Sequence, residues 1–169
     1  MPPDEATEDV PWLSPSQLEN WAALMALISI LPPAIDAQLK RDAGMNSYEY
    51  HVLVRLAASD QGMRPMSDLA VLAQGSPSRL SHAVARLERD GYVRRVACSE
   101  AGRRTAAVLT EEGRKKLEAS APGHVREARR LVVDALTPEQ LSALGEAARA
   151  VVEAIDPEAA DMIPPGRNA

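Results

Sequence analysis

Between Ser76 and Asp90 four basic side chains recur at a helical spacing: Arg79, His82, Arg86 and Arg89 fall at i, i+3, i+7 and i+10. On a helix that spacing gathers them on one side. Leu80, Val84 and Leu87 fall on the other side as an apolar stripe that must face a core. Ser76-Pro77 supplies an N-cap residue followed by proline at the first helical position, and Gly91 supplies the residue that ends the helix. Next come two β-prone runs, Tyr92–Val96 and Thr105–Leu109, around a polar, glycine-containing tip that carries Arg103 and Arg104. Such runs predict a hairpin. Guanidinium groups bind phosphate and guanine edges in a forked geometry. A basic-faced helix followed by a basic-tipped hairpin is the layout of a winged helix-turn-helix, a unit that reads DNA. Taken alone, the arginine stripe has a bland reading as a solvated charged face; the hairpin and the local charge argue for contact with an anion.

The 169-residue chain has a formal net charge of −5, which looks wrong for a nucleic-acid binder until it is divided along the chain. Residues 1–20 hold five acids and no base, whereas residues 75–110 hold seven arginines against Glu88, Asp90 and Glu100. From Asp134 onward seven acids face Arg149 and Arg167. The positive charge is concentrated where the helix and hairpin are. The length suits one domain with a real core. With no Phe and an apolar content rich in Ala, Leu and Val, packing should be helix on helix. No apolar run is expected to reach the ~20 residues of a membrane span. The acidic N-terminus does not resemble an export signal, and a single cysteine fits a reducing cytoplasm.

Other candidate chemistry is weaker. Ser78 and His82 at i, i+4 could suggest a nucleophile and base, but no acid is placed to orient the imidazole and an exposed helix face excludes no water. No enzymatic activity is therefore expected. His51, His82 and His124 fall on different helices without metal-ligand spacing, so neither metal nor cofactor is expected. Cys98 at the base of the wing tip has Arg94, Arg95 and Arg103 nearby to lower a thiol pKa, yet a lone cysteine there is a thin basis for redox sensing.

The elements that position these residues follow from capping signals. Ser14-Pro15-Ser16-Gln17 opens a helix whose apolar face is Leu18, Trp21, Leu24, Ile28, Leu31 and Ile35, running to about Arg41. Pro32-Pro33 should kink it or split it. Asn46 with Glu49 opens a second helix through Ser59, Met63-Arg64-Pro65 adds a short strand, and Ser67–Gln74 is a short helix leading into the basic one. After the hairpin Thr110-Glu111-Glu112 caps a helix that Pro122-Gly123 should interrupt, and which resumes through Ala135. Thr137-Pro138-Glu139-Gln140 opens a last helix with a near-heptad stripe of Leu141, Leu144, Ala148, Val151, Val152 and Ile155. The predicted fold is mainly α, in the order helix, helix, strand, helix, helix, strand, strand, helix, helix. Its organisation is a disordered acidic segment 1–13, a dimerisation helix 14–43, a winged helix-turn-helix 44–110, two dimerisation helices within 111–156, and a loose tail 157–169. The terminal stripes are too long for a lobe of that size to cover. They could pack on one another and on a second copy, with a two-fold dimer as the simplest closure.

Over about residues 14–156 the chain resembles the MarR family of transcriptional regulators, most specifically in MSDLAVLAQGSPSRLSHAVARLERDGYVRR and the later VLTEEG. The resemblance implies a homodimer formed by helices from both termini, a fourth helix in the major groove and a wing in the adjacent minor groove. Ser76, Ser78, Arg79, Ser81, His82 and Arg86 would then face DNA from the helix, and Arg103 and Arg104 from the wing. The family's Asp-x-Arg near the wing tip reads Ala101-Gly102-Arg103 here, so the acid that orients the arginine is missing unless Glu100 replaces it. Trp21, Tyr50 and His51 are candidates to line a small-molecule pocket, against the plainer reading of Trp21 and Tyr50 as packing residues. The implied function is a dimeric, sequence-specific, cytoplasmic DNA-binding regulator acting on a pseudo-palindromic duplex. The expected output is repression released by a small anionic or aromatic effector. The alternative is a winged helix whose basic face binds an acidic protein partner.

Overall fold

The computed structural model describes residues 10–73, 75–98 and 104–161. The elements are α1 (Pro15–Ala43), α2 (Ser47–Ala57), β1 (Met63–Pro65), α3 (Met66–Leu72), α4 (Pro77–Arg89), β2 (Val93–Ala97), β3 (Thr105–Leu109), α5 (Glu111–Leu131), α6 (Pro138–Ile155) and α7 (Pro157–Asp161). This is the predicted order, with α7 added where a loose tail was expected. α2 ends two residues short of the expected Ser59.

Each predicted cap forms. The Ser14 amide donates to Gln17 Oε1, while Asn46 with Glu49 and Thr137 with Gln140 close reciprocal capping boxes. Thr110 Oγ1 accepts from the Gly113 amide at the start of α5. Two expectations are corrected. α1 is one continuous helix through Pro32 and Pro33, and α5 continues through Pro122. All three prolines are exposed, so the carbonyls that lose an N–H partner can turn to water, and the flanking turns keep both helices going. The expectation of no membrane-spanning run is not overturned: α1 passes a test of length and composition alone, with a hydropathy of 1.6 in its most apolar window, a test that the helices of soluble proteins also pass. The same apolar length suits a helix that packs in a helical assembly.

The chain divides into two compact units, residues 1–34 and 35–169. In the first, the described part of α1 has no buried residue, and Leu18, Trp21, Ile28 and Ile30 are all more than half exposed. In the second, Leu39, Val52, Leu53, Leu56, Leu69, Leu80, Val84, Leu87, Val93 and Ala107 form one core drawn from the end of α1, α2, α3, α4 and the sheet. The sheet is antiparallel in the order β1-β3-β2, so the hairpin's inner strand β3 is flanked on both sides. Arg94 pairs with Val108 and Arg95 with Ala107 across it. α6 also lies in this unit, buries none of its residues, and packs chiefly on α7.

Candidate nucleic-acid interface

The helix that carries the arginines is held at both ends by its own sequence. Ser76 Oγ accepts from the Arg79 amide at 3.2 Å, with Pro77 at the first position. At the other end the Gly91 amide donates to the Glu88 carbonyl and the Tyr92 amide to the Leu87 carbonyl, with Gly91 at φ +81°. That paired closure needs a left-handed residue, which glycine takes without a Cβ penalty. Leu80, Ala83, Val84 and Leu87 are buried, so the rotation of α4 is fixed. Ser76, Ser78, Arg79, Ser81, His82 and Arg86 are left exposed, all six helix residues singled out from sequence.

The arginines of this face are not equivalent. Arg86 Nε pairs with Oε1 of Glu49, whose side chain is only 8% exposed. Glu49 Oε2 accepts from the Asn46 amide at 2.8 Å, so one carboxylate closes the cap of α2 and grips α4. Arg79 pairs with no carboxylate among the described residues; its guanidinium lies 4.2 Å from the centroid of the Tyr48 ring. On β2, Arg95 is taken up by Glu88 at 3.2 Å and by the Ser81 carbonyl at 3.0 Å. The Arg95 amide also donates to Glu88, at 3.0 Å, so that residue fastens the wing to α4. Arg104, exposed at the start of β3, meets no carboxylate among the described residues, and its carbonyl accepts from the Cys98 amide at 2.9 Å. Cys98 is exposed. Arg103, Glu100 and the Ala101-Gly102-Arg103 departure lie outside the described residues. Between α3, α4 and the wing an open groove is lined by Ser67, Pro77, Ser81, Arg95, Arg104 and Thr105.

The residues singled out for a small molecule are placed differently. Trp21 belongs to the first compact unit and is 52% exposed. Tyr50 and His51 belong to the second, where the buried Tyr50 ring lies 4.6 Å from His124 and 6.1 Å from His51. Desolvation of the rings holds both imidazoles below the usual histidine range, although His51 is exposed as a residue and His124 only half-buried, with His124 and then Arg55 adding to the effect at His51. Burial also raises the Tyr50 hydroxyl. Sequence reasoning missed Tyr48, Glu49 and Glu88, which organise the basic face. Glu49 was visible only as the third residue of a capping box, a role that uses one of its two oxygens.

No family model matches the sequence, and no curated protein matches it. Solved structures do. Sco3205 from Streptomyces coelicolor, a MarR family transcriptional regulator solved in complex with DNA, is 43% identical. The match covers 92% of this chain and 97% of that one, with a TM-score of 0.84. AbsC, a MarR family transcriptional regulator from the same organism, is 34% identical over 86% of this chain and 98% of that one, at a TM-score of 0.80. CouR from Rhodococcus jostii RHA1, solved bound to p-coumaroyl-CoA, shares the fold at 19% identity and a TM-score of 0.65, over 80% of this chain and 90% of that one. With an exposed basic helix beside a wing, and this identity over nearly the whole chain, the protein belongs to the MarR family of DNA-binding, winged helix-turn-helix transcriptional regulators.

Proposed function

We propose that the protein is a homodimeric, cytoplasmic repressor that reads a pseudo-palindromic duplex with α4 and the wing, and that a small anionic or aromatic molecule releases it. The observation that carries the DNA contact is the unequal fate of the arginines. Arg79 near the start of α4 and Arg104 on the wing keep their charge free of carboxylates among the described residues. Arg79 sits at the end of the reading helix that meets base edges in helix-turn-helix docking. Ser76, Ser78, Ser81 and His82 share its exposed face. Arg86 lies on that face as a phosphate contact through whatever donors Glu49 leaves free. Arg103 and Arg104 contact phosphate or the minor groove.

The dimer is proposed because apolar stripes on α1 and α6 stand open: Trp21, Ile28 and Ile30 on the one, Val151 and Ile155 on the other. The two reading helices of such a dimer must sit about 34–36 Å apart to meet successive half-sites. An effector that alters this spacing releases DNA without touching the reading surface. Tyr50 and His51, in the second unit, are proposed effector contacts, and Trp21, in the first, is a candidate contact taken by itself. CouR, with which this chain shares the fold, is bound to p-coumaroyl-CoA in its structure.

The test is selection of bound duplexes from random DNA, followed by footprinting. A two-fold symmetric footprint that survives bulk acidic protein is expected. Binding lost to that competitor would favour the acidic-partner reading instead. An effector that releases DNA while spin labels on the two reading helices keep their distance would remove the spacing mechanism.

A further inference from the structure

The first turn of α2 lies beneath the start of α4, and its contacts there are unusual. Tyr48 is 6% exposed, and its hydroxyl is buried without a hydrogen-bond partner among the described residues. An orphaned phenol oxygen costs free energy, so something else must hold the ring where it is. One face of that ring carries the Arg79 guanidinium, 4.2 Å from its centroid. The ring reaches this position through a slot at Gly75: a Cβ there would lie 2.1 Å from the Tyr48 oxygen and 2.6 Å from Cζ. Only a glycine before Ser76 lets the tyrosine under the helix start. Asp36 Oδ1 accepts from both the amide and the hydroxyl of Ser47, at 2.9 and 3.1 Å, and so pins the same turn from α1. Next along, Glu49 grips Arg86. The turn thus holds two arginines of α4 in two different ways.

The difference matters for recognition. A carboxylate takes a guanidinium by its N–H edges, the same donors that would bind a guanine or a phosphate. An aromatic ring takes it by its face and leaves the in-plane donors free. An exposed arginine on its own must also lose the rotamer freedom of a long side chain when it docks. Stacking reduces that loss beforehand.

We infer that Tyr48, admitted by Gly75, is a specificity-determining positioning residue: its ring holds the Arg79 guanidinium by the face and presents its donors to a base edge. Glu49, by the same geometry, makes Arg86 an anchor of α4 more than a reader. This rests on the reading of α4 as the DNA-reading helix.

The test keeps the shape of the ring and changes only its charge. In the full-length protein Tyr48 is replaced by phenylalanine and then by increasingly fluorinated phenylalanines, which drain the ring face of negative charge. Dissociation constants are measured on a duplex selected by the wild-type protein and on its scrambled counterpart. Tyr48→Phe should keep the wild-type ratio between the two duplexes, since the hydroxyl has no partner to lose among the described residues. Full fluorination should lower the ratio about three- to tenfold by weakening the selected duplex alone. In an Arg79→Ala background the same series should change nothing. A ratio indifferent to fluorination in the wild-type background overturns the inference and leaves α4 as the reading helix. Equal losses on both duplexes overturn it too, since Tyr48 would then support the fold alone. A wild-type protein that binds both duplexes alike would remove the DNA-reading role itself, and this inference with it.

Discussion

The winged unit and α6 are built from the same kinds of residue and meet opposite fates. From α2 to β3 the apolar positions close on one another: Val52, Leu53, Leu56 and Leu69 have no exposed surface at all. In α6, Leu141, Leu144, Val151, Val152 and Ile155 repeat on one side of an equally well-capped helix, and not one residue is buried. Ile155 is 78% exposed. Capping and propensity therefore make the helix, while burial depends on what the rest of the chain brings against it. The reading head completes itself, and the α6 stripe waits for a surface of comparable apolarity.

The strongest way to break this comparison is to charge the open stripe. Leu144→Glu with Val151→Glu would bury four unpaired carboxylates in a two-fold interface, at several kcal/mol on association. Sedimentation should show monomer or aggregate in place of the dimer proposed for the wild type, with the thermal transition of the reading unit still present. A variant that remains dimeric would place the interface elsewhere.

The converse change opens a void in the completed part. Leu53 is fully buried among α2, α3, α4 and the sheet. Leu53→Ala should cost about 2–5 kcal/mol of stability by chemical denaturation. A smaller cost, near that of an exposed leucine, would mean that this unit also borrows its core from a partner.

Element types and caps were legible because they are local: Ser14, Asn46, Thr110 and Thr137 each declare a helix start within four residues. The exposed face of α4 was legible too, because Leu80, Val84 and Leu87 fix its rotation. The partners of that face were not. Glu49 and Arg86 are far apart in sequence, and only the packing of α2 against α4 shows that a buried carboxylate takes up that arginine. Pro32-Pro33 and Pro122 misled for a related reason. A proline removes one hydrogen bond, but whether the helix breaks depends on whether the freed carbonyl can reach water.

Within the reading face the arginines sharpen the contrast between specifying and positioning. Arg79→Ala should weaken the selected duplex by about 1–3 kcal/mol and a scrambled one far less, if Arg79 makes the proposed bidentate base contact. Arg104→Ala should weaken both alike and lower the salt slope by about 0.9 in log K against log salt, one phosphate's share. A salt titration of both variants on both duplexes reads the two effects. Equal losses for Arg79→Ala would leave α4 as a phosphate clamp.

The smallest effect concerns the histidines around Tyr50, at the junction of α2 and α5. Both imidazoles are held below the ordinary value of 6.5: half-buried His124 by desolvation, and His51, exposed as a residue, by desolvation of its ring and by the neighbouring His124 and Arg55. Among the described residues the groups that bear on them bring no counter-charge: Tyr50 is a ring whose hydroxyl is pushed up by burial, and Arg55 is a cation. Nδ1 of His124 is buried without a hydrogen-bond partner among the described residues. On acidification the unfolded chain therefore takes up protons before the folded one. Stability is fully present above the unfolded value, falls as pH drops from 6.5 through the lowered folded values, and levels off once both states are protonated. Asp36, Asp42 and Glu127 are held below their ordinary values and titrate at more acid pH than the histidines. His51→Gln with His124→Gln should flatten the fall in melting temperature as pH drops below 6.5, leaving the temperature at neutral pH little changed. If the double variant falls as steeply as the wild type, the acid sensitivity of this unit lies in groups other than the Tyr50 cluster.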